Sequence, residues 1–378
     1  MSAPAKSACV FAQLYLPGLG DMVQRNIMLS VLRRAYPQVT LVVGPRLAEQ
    51  FAELFARHSY ATDVMVCPEV FDADEARWRQ FQRELAERRF DLCLVDPGTH
   101  TLSASHARAA GIPRRLGYPK GLVADPALSE VIRLPRPLFG FPDLYEYADA
   151  LSRALGATEP LAASRVVPAF PSTPEAIDEV SATSGPRVAV HAVGQPHWNR
   201  RWPLDRYVEL GQRLVEAFDA TVVLLGTSSE NRELTMLRDG ILAKHPAATV
   251  FADVDASLNR TANLLGGTDL FVGNDSGLAH VAAAVGTPSV VIYGPTGTEL
   301  LWTRIYPHHR GVSLHYLCQA ITHEVDQVAG RVCEYACTVE YQGPAGPYPR
   351  CLTDLDIDQV WTAVTAQLSA AAATGRKG

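Results

Sequence analysis

The sequence predicts an α/β protein made of two doubly wound domains, each a parallel sheet with helices on both faces. First, short apolar runs alternate with helical stretches in two successive rounds along the 378 residues, a pattern typical of parallel sheets. Second, a segment rich in proline, serine, threonine and glutamate separates the two rounds at residues 158–185, as expected of a linker. Third, a chain of this length is longer than a single domain with one hydrophobic core usually is.

The first domain is expected to span residues 1–165. Its first strand is predicted at residues 9–16, which are apolar apart from Gln13, and its first helix at residues 21–36, ended by Pro37. The further elements predicted for this domain are strands at 39–43 and 92–95 and helices at 47–57 and 74–89. This alternation implies a sheet covered on both faces.

The second domain is expected to span residues 186–350 and repeats the alternation. Its predicted elements are strands at 187–190, 221–225, 269–272 and 290–293 and helices at 204–218 and 229–244. A last amphipathic helix is predicted at residues 356–370, with Val360 and Val364 on its apolar face. No partner for this face is obvious in its own half, so we expect residues 351–378 to pack back towards the first domain.

Composition and charge exclude several classes of function. The net charge is −6 and no basic stripe is present, so nucleic acid is not an expected partner. No apolar run is long enough to cross a membrane, and the N-terminal run is too short for a secretory signal; peripheral membrane contact stays open. Seven cysteines, an odd number, favour a reducing, cytoplasmic setting.

The most informative stretch is residues 271–288, Phe-Val-Gly-Asn-Asp-Ser-Gly-Leu-Ala-His-Val-Ala-Ala-Ala-Val-Gly-Thr-Pro. It predicts a strand that ends at Val272, a tight turn over residues 273–277 that includes Asp275, Ser276 and Gly277, and then an alanine-rich helix. The loop brings backbone N–H groups to the positive end of that helix, an arrangement that binds phosphate. His280 would lie one turn into the helix, either as a satisfied core histidine or as a ligand of a diphosphate.

Two other loops at strand ends of the second domain carry polar residues. Arg200 and Arg201 follow the strand at 187–190; they either bind a diphosphate bidentately or are solvated charges. Thr227 and Glu230 follow the next strand, where Glu230 either complements a helix dipole or holds ribose hydroxyls. Because ligands of doubly wound domains bind at the carboxyl ends of the strands, we expect these residues near the phosphate loop.

Gly18, Gly20 and Asp21 form the corresponding loop of the first domain, between the first strand and its helix. The glycines allow a tight turn and a close approach to a ligand. Asp21 is either a helix cap or a general base for an incoming hydroxyl. Its position beyond a strand's carboxyl end favours the base.

The motifs in this order resemble the heptosyltransferase family, glycosyltransferase family 9. The matching stretches are Gly-Leu-Gly-Asp at 18–21, Ala-Gly-Ile-Pro-Arg-Arg-Leu-Gly-Tyr at 110–118, Arg-Arg-Trp-Pro at 200–203, Val-Leu-Leu-Gly at 223–226, Gly-Asn-Asp-Ser-Gly-Leu-Ala-His at 273–280 and Tyr-Gly-Pro-Thr at 293–296. The third stretch has arginine where the family has lysine. The similarity runs over most of the chain, and an ordered series of this kind is a specific signal.

The resemblance implies a GT-B fold, with two Rossmann-like domains facing a cleft, the first for the acceptor and the second for the nucleotide sugar. It implies an inverting, metal-independent transfer of heptose from an ADP-heptose to an acceptor hydroxyl. By the same resemblance, Asp21 takes the acceptor's proton and Glu230 holds the ribose. No cofactor is expected.

The resemblance also assigns the donor's diphosphate and sugar to the second domain. Arg200 and the N–H groups of Ser276 and Gly277 would stabilise the departing diphosphate, since fixed donors stabilise charge that develops on a leaving group. Asp275 together with His280 would contact the donor sugar or its phosphates.

The acceptor side departs from the family. After the strand at 92–95 the family often has Asp-x-Gln-Gly, whereas this chain reads Asp-Pro-Gly-Thr-His. Asp96, Thr99 and His100 are the candidate acceptor-side residues of this loop, with Asp96 and His100 as reserve candidates for the base. The departure and the near-neutral charge of the first domain favour a soluble acceptor, a small molecule or a polypeptide, over a membrane-bound phosphorylated one.

Four C-terminal cysteines are a candidate metal site, namely Cys318, Cys333, Cys337 and Cys351. Four thiolates can hold zinc or iron, and some protein-modifying relatives of the family carry such an iron. No Cys-x-x-Cys pair is present among them, so the expectation is that they are scattered thiols.

Two other functions stay open from the residues. One is a GT-B transferase or epimerase that uses another nucleotide sugar. The other is a non-catalytic nucleotide-sugar-binding protein, against which the presence of Asp21 in its loop argues.

Overall fold

The computed structural model describes residues 6–14, 17–69, 72–99, 103–119, 124–134, 144–161, 167–177, 185–194, 200–294, 306–316 and 348–373. The chain divides into two compact units, Met1–Ser172 and Thr173–Gly378. Each unit contains a six-stranded sheet. Among the described residues, no helix combines the length and the apolar composition that crossing a bilayer requires.

The first unit is a parallel sheet connected by helices. Its strands are β1 (Ser7–Phe11), β2 (Gln38–Val43), β3 (Asp63–Val66), β4 (Leu92–Val95), β5 (Arg114–Gly117) and β6 (Glu130–Val131). Its helices are α1 (Leu19–Ala35), α2 (Pro45–Gln50), α3 (Ala52–Arg57), α4 (Glu75–Glu87), α5 (Ser103–Ala109) and α6 (Leu144–Ala154). The strand order is β3-β2-β1-β4-β5-β6 with every pair parallel, the order of a Rossmann-like domain.

The predicted single helix at residues 47–57 is in fact two helices, α2 and α3. Phe51 separates them with a backbone at φ −114° and ψ 24°, outside the helical region. The Phe51 and Phe55 rings lie edge to face at 6.4 Å, and both side chains are buried.

The second unit repeats the architecture. Its strands are β7 (Arg187–His191), β8 (Thr221–Gly226), β9 (Val250–Val254), β10 (Leu270–Asn274), β11 (Ser289–Ile292) and β12 (His309–Val312). Its helices are α7 (Leu204–Phe218), α8 (Asn231–Lys244), α9 (Leu258–Gly266), α10 (Gly277–Ala284), α11 (Arg350–Thr353) and α12 (Ile357–Ala373). The order β9-β8-β7-β10-β11-β12, again parallel throughout, is that of the first unit.

The last helix, α12, has a partner in its own unit, although the sequence suggested none; its return towards the first domain stays a prediction. Val360, Val364 and Leu368 belong to the hydrophobic core of the second unit. Trp361 packs against Phe218 at the end of α7, with ring centroids 5.8 Å apart. The sequence reading missed this partner because the contact joins segments far apart in the chain.

In each sheet the strand order reverses at one point, between β1 and β4 in the first unit and between β7 and β10 in the second. Ligands of doubly wound domains bind beyond the carboxyl ends of the strands at this point. The loop of Asp21 follows β1, and the phosphate loop follows β10. Each predicted loop therefore lies at the reversal point of its own sheet.

Candidate functional site

Asn274, the last residue of β10, organises the strand ends of the second unit. Its amide nitrogen donates to the carbonyls of Ala192 at 2.7 Å and Val193 at 3.3 Å, just beyond β7. Its amide oxygen accepts from the Trp202 backbone N–H at 3.0 Å and from the Tyr207 hydroxyl at 2.9 Å. Both ends of the amide are thus satisfied in a buried position, and the loop after β7 is tied to the phosphate loop.

The phosphate loop lies at the N-terminus of α10. Ser276 is the N-cap residue, and its hydroxyl lies 3.1 Å from Nδ1 of His191 instead of capping the helix. The Asp275 carboxylate is buried, with 6% of the side chain exposed, and its Oδ2 lies 3.5 Å from Nη1 of Arg200. The Arg200 side chain is 33% exposed. Its guanidinium therefore contacts both the buried Asp275 carboxylate and solvent, at the positive end of the helix.

His191 was missed by the sequence reading, which ended the strand at Val190. Burial lowers the pKa of His191, and the nearby Arg201 guanidinium lowers it further against the opposing effect of the Glu230 carboxylate. The ring is therefore neutral near pH 7, and it holds Ser276 by a neutral hydrogen bond.

Glu230 is buried and holds the loops that follow β7 and β8. Its Oε1 accepts from the Gly194 N–H at 2.9 Å, and its Oε2 accepts from the N–H of Thr227 at 2.9 Å and from the Thr227 hydroxyl at 3.2 Å. Gly194 has φ of +83°, a conformation that favours glycine. Arg201 donates from Nε to the Gly194 carbonyl at 3.3 Å. Arg201, Thr227 and Glu230 therefore hold one another in place.

His280 lies in the first turn of α10, as expected, and belongs to a buried cluster of hydroxyls and imidazoles. The Tyr306 hydroxyl lies 2.9 Å from Nδ1 of His280. On the other side of Tyr306, the ring of His309 lies 2.8 Å by Nδ1 from the Ser289 hydroxyl and 2.7 Å by Nε2 from the Tyr293 hydroxyl. All five side chains are buried.

Burial and charge set the protonation of this cluster. Burial raises the pKa of Tyr306 well above its usual value, and the nearby Asp275 carboxylate raises it further. Burial lowers the pKa of His309 to about 3, with a smaller lowering from His280. Tyr306 therefore keeps its proton, and His309 is neutral.

In the first unit, Asp21 is the third residue of α1 and not its N-cap, which is Gly18. Its Oδ2 accepts from the Gly18 backbone N–H at 2.8 Å, and the side chain is exposed. Gly18 has φ of −82°, which any residue adopts, and Gly20 is buried. Asp21 thus contributes to the helix N-terminus while its carboxylate stays open to solvent, and the cap and the base are compatible roles.

Asp96 and Thr99 point into the fold. The Asp96 side chain, 1% exposed, lies with Oδ2 3.1 Å from Nε of Arg25, and its Oδ1 accepts from the Gly98 N–H at 2.9 Å. The Thr99 hydroxyl donates to the Phe11 carbonyl at 2.7 Å. Both side chains are therefore already engaged within the first unit. His100 lies outside the described residues.

We expect Asp96→Asn to lower the free energy of unfolding by about 3 kcal/mol, because it leaves the Arg25 guanidinium, only 13% exposed, without its counter-charge. Chemical denaturation measures this change. Asp63→Asn is the matched control: its partner Arg88 lies at 2.7 Å, and both side chains are largely exposed, so the loss should stay within about 1 kcal/mol. Normal stability with lost turnover would instead make Asp96 the base.

The structure brings five of the predicted donor residues together around the start of α10, namely Arg200, Asp275, Ser276, Gly277 and His280. Arg201, Thr227 and Glu230 lie in the adjoining loops. The residues that the sequence reading did not single out are Asn274, His191, Arg25 and Tyr306. A polar residue that ends an apolar strand was an available signal for Asn274. No local signal marks Arg25, because its partner Asp96 is distant in the sequence.

The predicted metal site is only partly within the described residues. Cys318, Cys333 and Cys337 lie outside them, and Cys351 is buried in the hydrophobic core of the second unit. Within the described ranges, no group of three histidine, cysteine or acidic side chains is arranged to hold a metal ion. The expectation that these four cysteines are scattered thiols stays a prediction.

The arrangement in the second unit suits a bound anion. The N-terminus of α10, the loop N–H groups and the Arg200 guanidinium lie at one edge of the sheet. The buried Asp275 carboxylate offsets their positive charge. Such fixed donors can stabilise negative charge on a leaving group without reorganising.

Known proteins share this chain's sequence features. Residues 78–330 match the model of glycosyltransferase family 9 (heptosyltransferase). Lipopolysaccharide heptosyltransferase 2 of Escherichia coli (strain K12) is 25% identical over 291 residues, which cover 74% of this chain and 81% of that protein. Lipopolysaccharide heptosyltransferase 1 of Pseudomonas aeruginosa is 26% identical over 300 residues, covering 74% and 76%.

Solved structures share the fold. The E. coli ADP-heptose lps heptosyltransferase II has a TM-score of 0.65 at 20% identity, covering 97% of this chain and 99% of that one. The E. coli heptosyltransferase WaaC with ADP-2-deoxy-2-fluoro heptose has a TM-score of 0.58 at 16% identity, covering 85% and 100%. The fold is GT-B, and the predicted α/β class with two Rossmann-like sheets is confirmed. Since the family model spans more than half of the chain, the protein belongs to glycosyltransferase family 9, the heptosyltransferase family, and is a glycosyltransferase.

Proposed function

We propose that this protein transfers a heptose from ADP-heptose to an acceptor hydroxyl with inversion at the anomeric carbon. The observation that carries the proposal is the placement of Arg200, 3.5 Å from Asp275 at the N-terminus of α10, where the strand order of the second sheet reverses. An anionic nucleotide is the ligand class that this position in a doubly wound domain favours.

The diphosphate of the donor binds Arg200 and the N–H groups of Ser276 and Gly277 in this proposal. Ser276 and Gly277 are partly exposed, and guanidinium and N–H groups match phosphate oxygens. Asp275 would repel phosphate, so we assign it to the sugar hydroxyls and to the positioning of Arg200. The structures of E. coli heptosyltransferase WaaC with ADP and with ADP-2-deoxy-2-fluoro heptose support the choice of donor.

The ribose lies against Glu230 in this proposal. The carboxylate already accepts from Gly194 and Thr227, but each of its oxygens has more than one lone pair. Thr227 is exposed beside it and adds a hydroxyl. We propose that Glu230 both fixes the two loops and accepts from a ribose hydroxyl, while Arg201 holds the loop at Gly194.

The reaction needs one proton transfer, from the acceptor hydroxyl to the protein. As the acceptor oxygen forms its bond to the anomeric carbon, its proton passes to the Asp21 carboxylate. The bond from that carbon to the phosphate oxygen breaks, and ADP leaves with the electron pair. Attack from the face opposite ADP inverts the configuration, and the donors around α10 stabilise the charge on the departing phosphate.

Two classes of acceptor remain. The names of the similar proteins point to lipopolysaccharide, whereas the near-neutral charge of the first domain favours a soluble acceptor. The departure at residues 96–100 weighs less than its sequence suggests, because Asp96 and Thr99 are engaged within the fold. The buried thiols of Cys9, Cys67 and Cys93, which form no disulfide, support the further proposal of a cytoplasmic location.

The proposal is tested by incubating the protein with ADP-heptose and either a lipopolysaccharide core acceptor or a panel of soluble acceptors. We expect ADP release that depends on one acceptor, a product heavier by one heptose, and an inverted anomeric centre by NMR. Transfer from a UDP- or GDP-sugar would favour another nucleotide sugar. Donor binding without turnover on any acceptor would favour a non-catalytic binding protein.

A further inference from the structure

Tyr306 is a buried residue whose hydroxyl contacts His280, one of the residues predicted to bind the donor. That hydroxyl lies 2.9 Å from Nδ1 of His280 in the first turn of α10, and the two rings meet edge to face at 5.8 Å and 87°. We infer that Tyr306 is a positioning residue that fixes the ring orientation and the tautomer of His280, and through it the affinity for a nucleoside diphosphate. This inference rests on the proposed function, in which His280 binds the donor.

In this inference, Tyr306 is the donor and His280 the acceptor of the 2.9 Å hydrogen bond between them. Burial and the Asp275 carboxylate raise the pKa of Tyr306, so the phenol keeps its proton and can donate it to Nδ1 of His280. A neutral imidazole whose Nδ1 accepts carries its own proton on Nε2. From Nε2 the ring can donate a hydrogen bond to an anionic oxygen of a phosphate or carboxylate.

The surroundings of Tyr306 keep this hydroxyl in place. The ring packs edge to face on His309 at 5.7 Å and 90°, and the Tyr306 carbonyl accepts from the His309 N–H at 3.1 Å. His309 is itself held by the hydroxyls of Ser289 and Tyr293. Because burial lowers the pKa of His309 to about 3, the ring that packs on Tyr306 stays neutral.

The test compares two buried tyrosines of this cluster. Tyr306→Phe removes the hydroxyl that lies 2.9 Å from Nδ1 of His280, whereas Tyr293→Phe removes one that lies 2.7 Å from Nε2 of the other histidine, His309. By calorimetry with ADP, we expect Tyr306→Phe to weaken binding about 3- to 10-fold, as for one hydrogen bond. Tyr293→Phe should leave ADP affinity within about 2-fold, which is below the effect of a typical hydrogen bond.

A double-mutant cycle then asks whether Tyr306 acts through His280. We expect His280→Ala to weaken ADP binding, and Tyr306→Phe to add no further loss in the His280→Ala background. An additive loss in the double variant would overturn the inference, because Tyr306 would then act independently of His280.

The tautomer is measured without any nucleotide. In the ¹⁵N-histidine NMR spectrum, His280 is the signal missing from His280→Ala. In the wild type it should show one tautomer, with a pyridine-like Nδ1 and a pyrrole-like Nε2, and in Tyr306→Phe a mixture of tautomers. A tautomer mixture in the wild type, or unchanged ADP affinity in a folded Tyr306→Phe, overturns the inference alone. No ADP binding by the wild type overturns the proposed function and this inference with it.

Discussion

Asp21→Asn should lower turnover by about 10²–10⁴, the usual contribution of a general base, while ADP affinity and the melting temperature stay close to those of the wild type. The neutral amide cannot take the acceptor's proton. It keeps an oxygen that can accept from the Gly18 N–H, now at 2.8 Å from the carboxylate, so the helix start is preserved. Steady-state turnover with ADP-heptose and a saturating acceptor measures the effect.

Asp74→Asn is the matched control, because Asp74 is an exposed aspartate at a helix start of the same unit. Its Oδ1 accepts from the Ala76 N–H at 2.8 Å at the beginning of α4. This variant should lose at most about 1 kcal/mol of stability and no turnover. Near-normal turnover of Asp21→Asn with a lowered melting temperature would show that Asp21 is only part of the helix cap.

Arg200→Ala should weaken ADP binding about 10- to 100-fold, corresponding to the loss of about 1.5–3 kcal/mol from hydrogen bonds to a charged group. The substitution removes the guanidinium at the start of α10 and leaves the Asp275 carboxylate without its partner. The negative charge of Asp275 then repels an anion. Titration calorimetry gives the affinity, and a melting curve shows whether the fold is intact.

Two further variants isolate the charge of Arg200. Arg200→Lys keeps the positive charge and restores the residue of the family motif, so it should recover most of the affinity. Arg213→Ala removes a partly exposed guanidinium of α7 that pairs with Glu209 at 2.7 Å and should leave ADP binding unchanged. Equal ADP affinity in the wild type and Arg200→Ala would remove Arg200 from the donor site.

Much of the fold could be predicted from local pattern. Strands such as β10 are continuous apolar runs, and the glycine loop that follows at Gly277 marks where the helix begins. Strands β5 and β6 lack such a pattern because they carry charged residues, including Arg114 and Glu130, which pair with each other at 2.8 Å. Short charged strands at and beside a sheet edge do not stand out from loops in a single sequence.

The sequence predicted individual residues of the candidate site but not the contacts that hold them in place. Short motifs placed Arg200, Asp275 and His280 at strand ends, because the carboxyl ends of parallel strands share one edge. The contacts that hold them, from Asn274 and Tyr306, join segments distant in sequence. No local pattern encodes such pairs, and the same reason explains why the core partner of α12 was missed.

The central claim is that the second unit binds an ADP-linked donor through the start of α10. Titration calorimetry of the wild-type protein with ADP, UDP and GDP in turn tests it most directly. The account predicts that ADP binds most tightly and that Arg200→Ala weakens this binding while Arg200→Lys largely retains it. Tighter binding of UDP or GDP, or no binding of any of the three nucleotides, would contradict it.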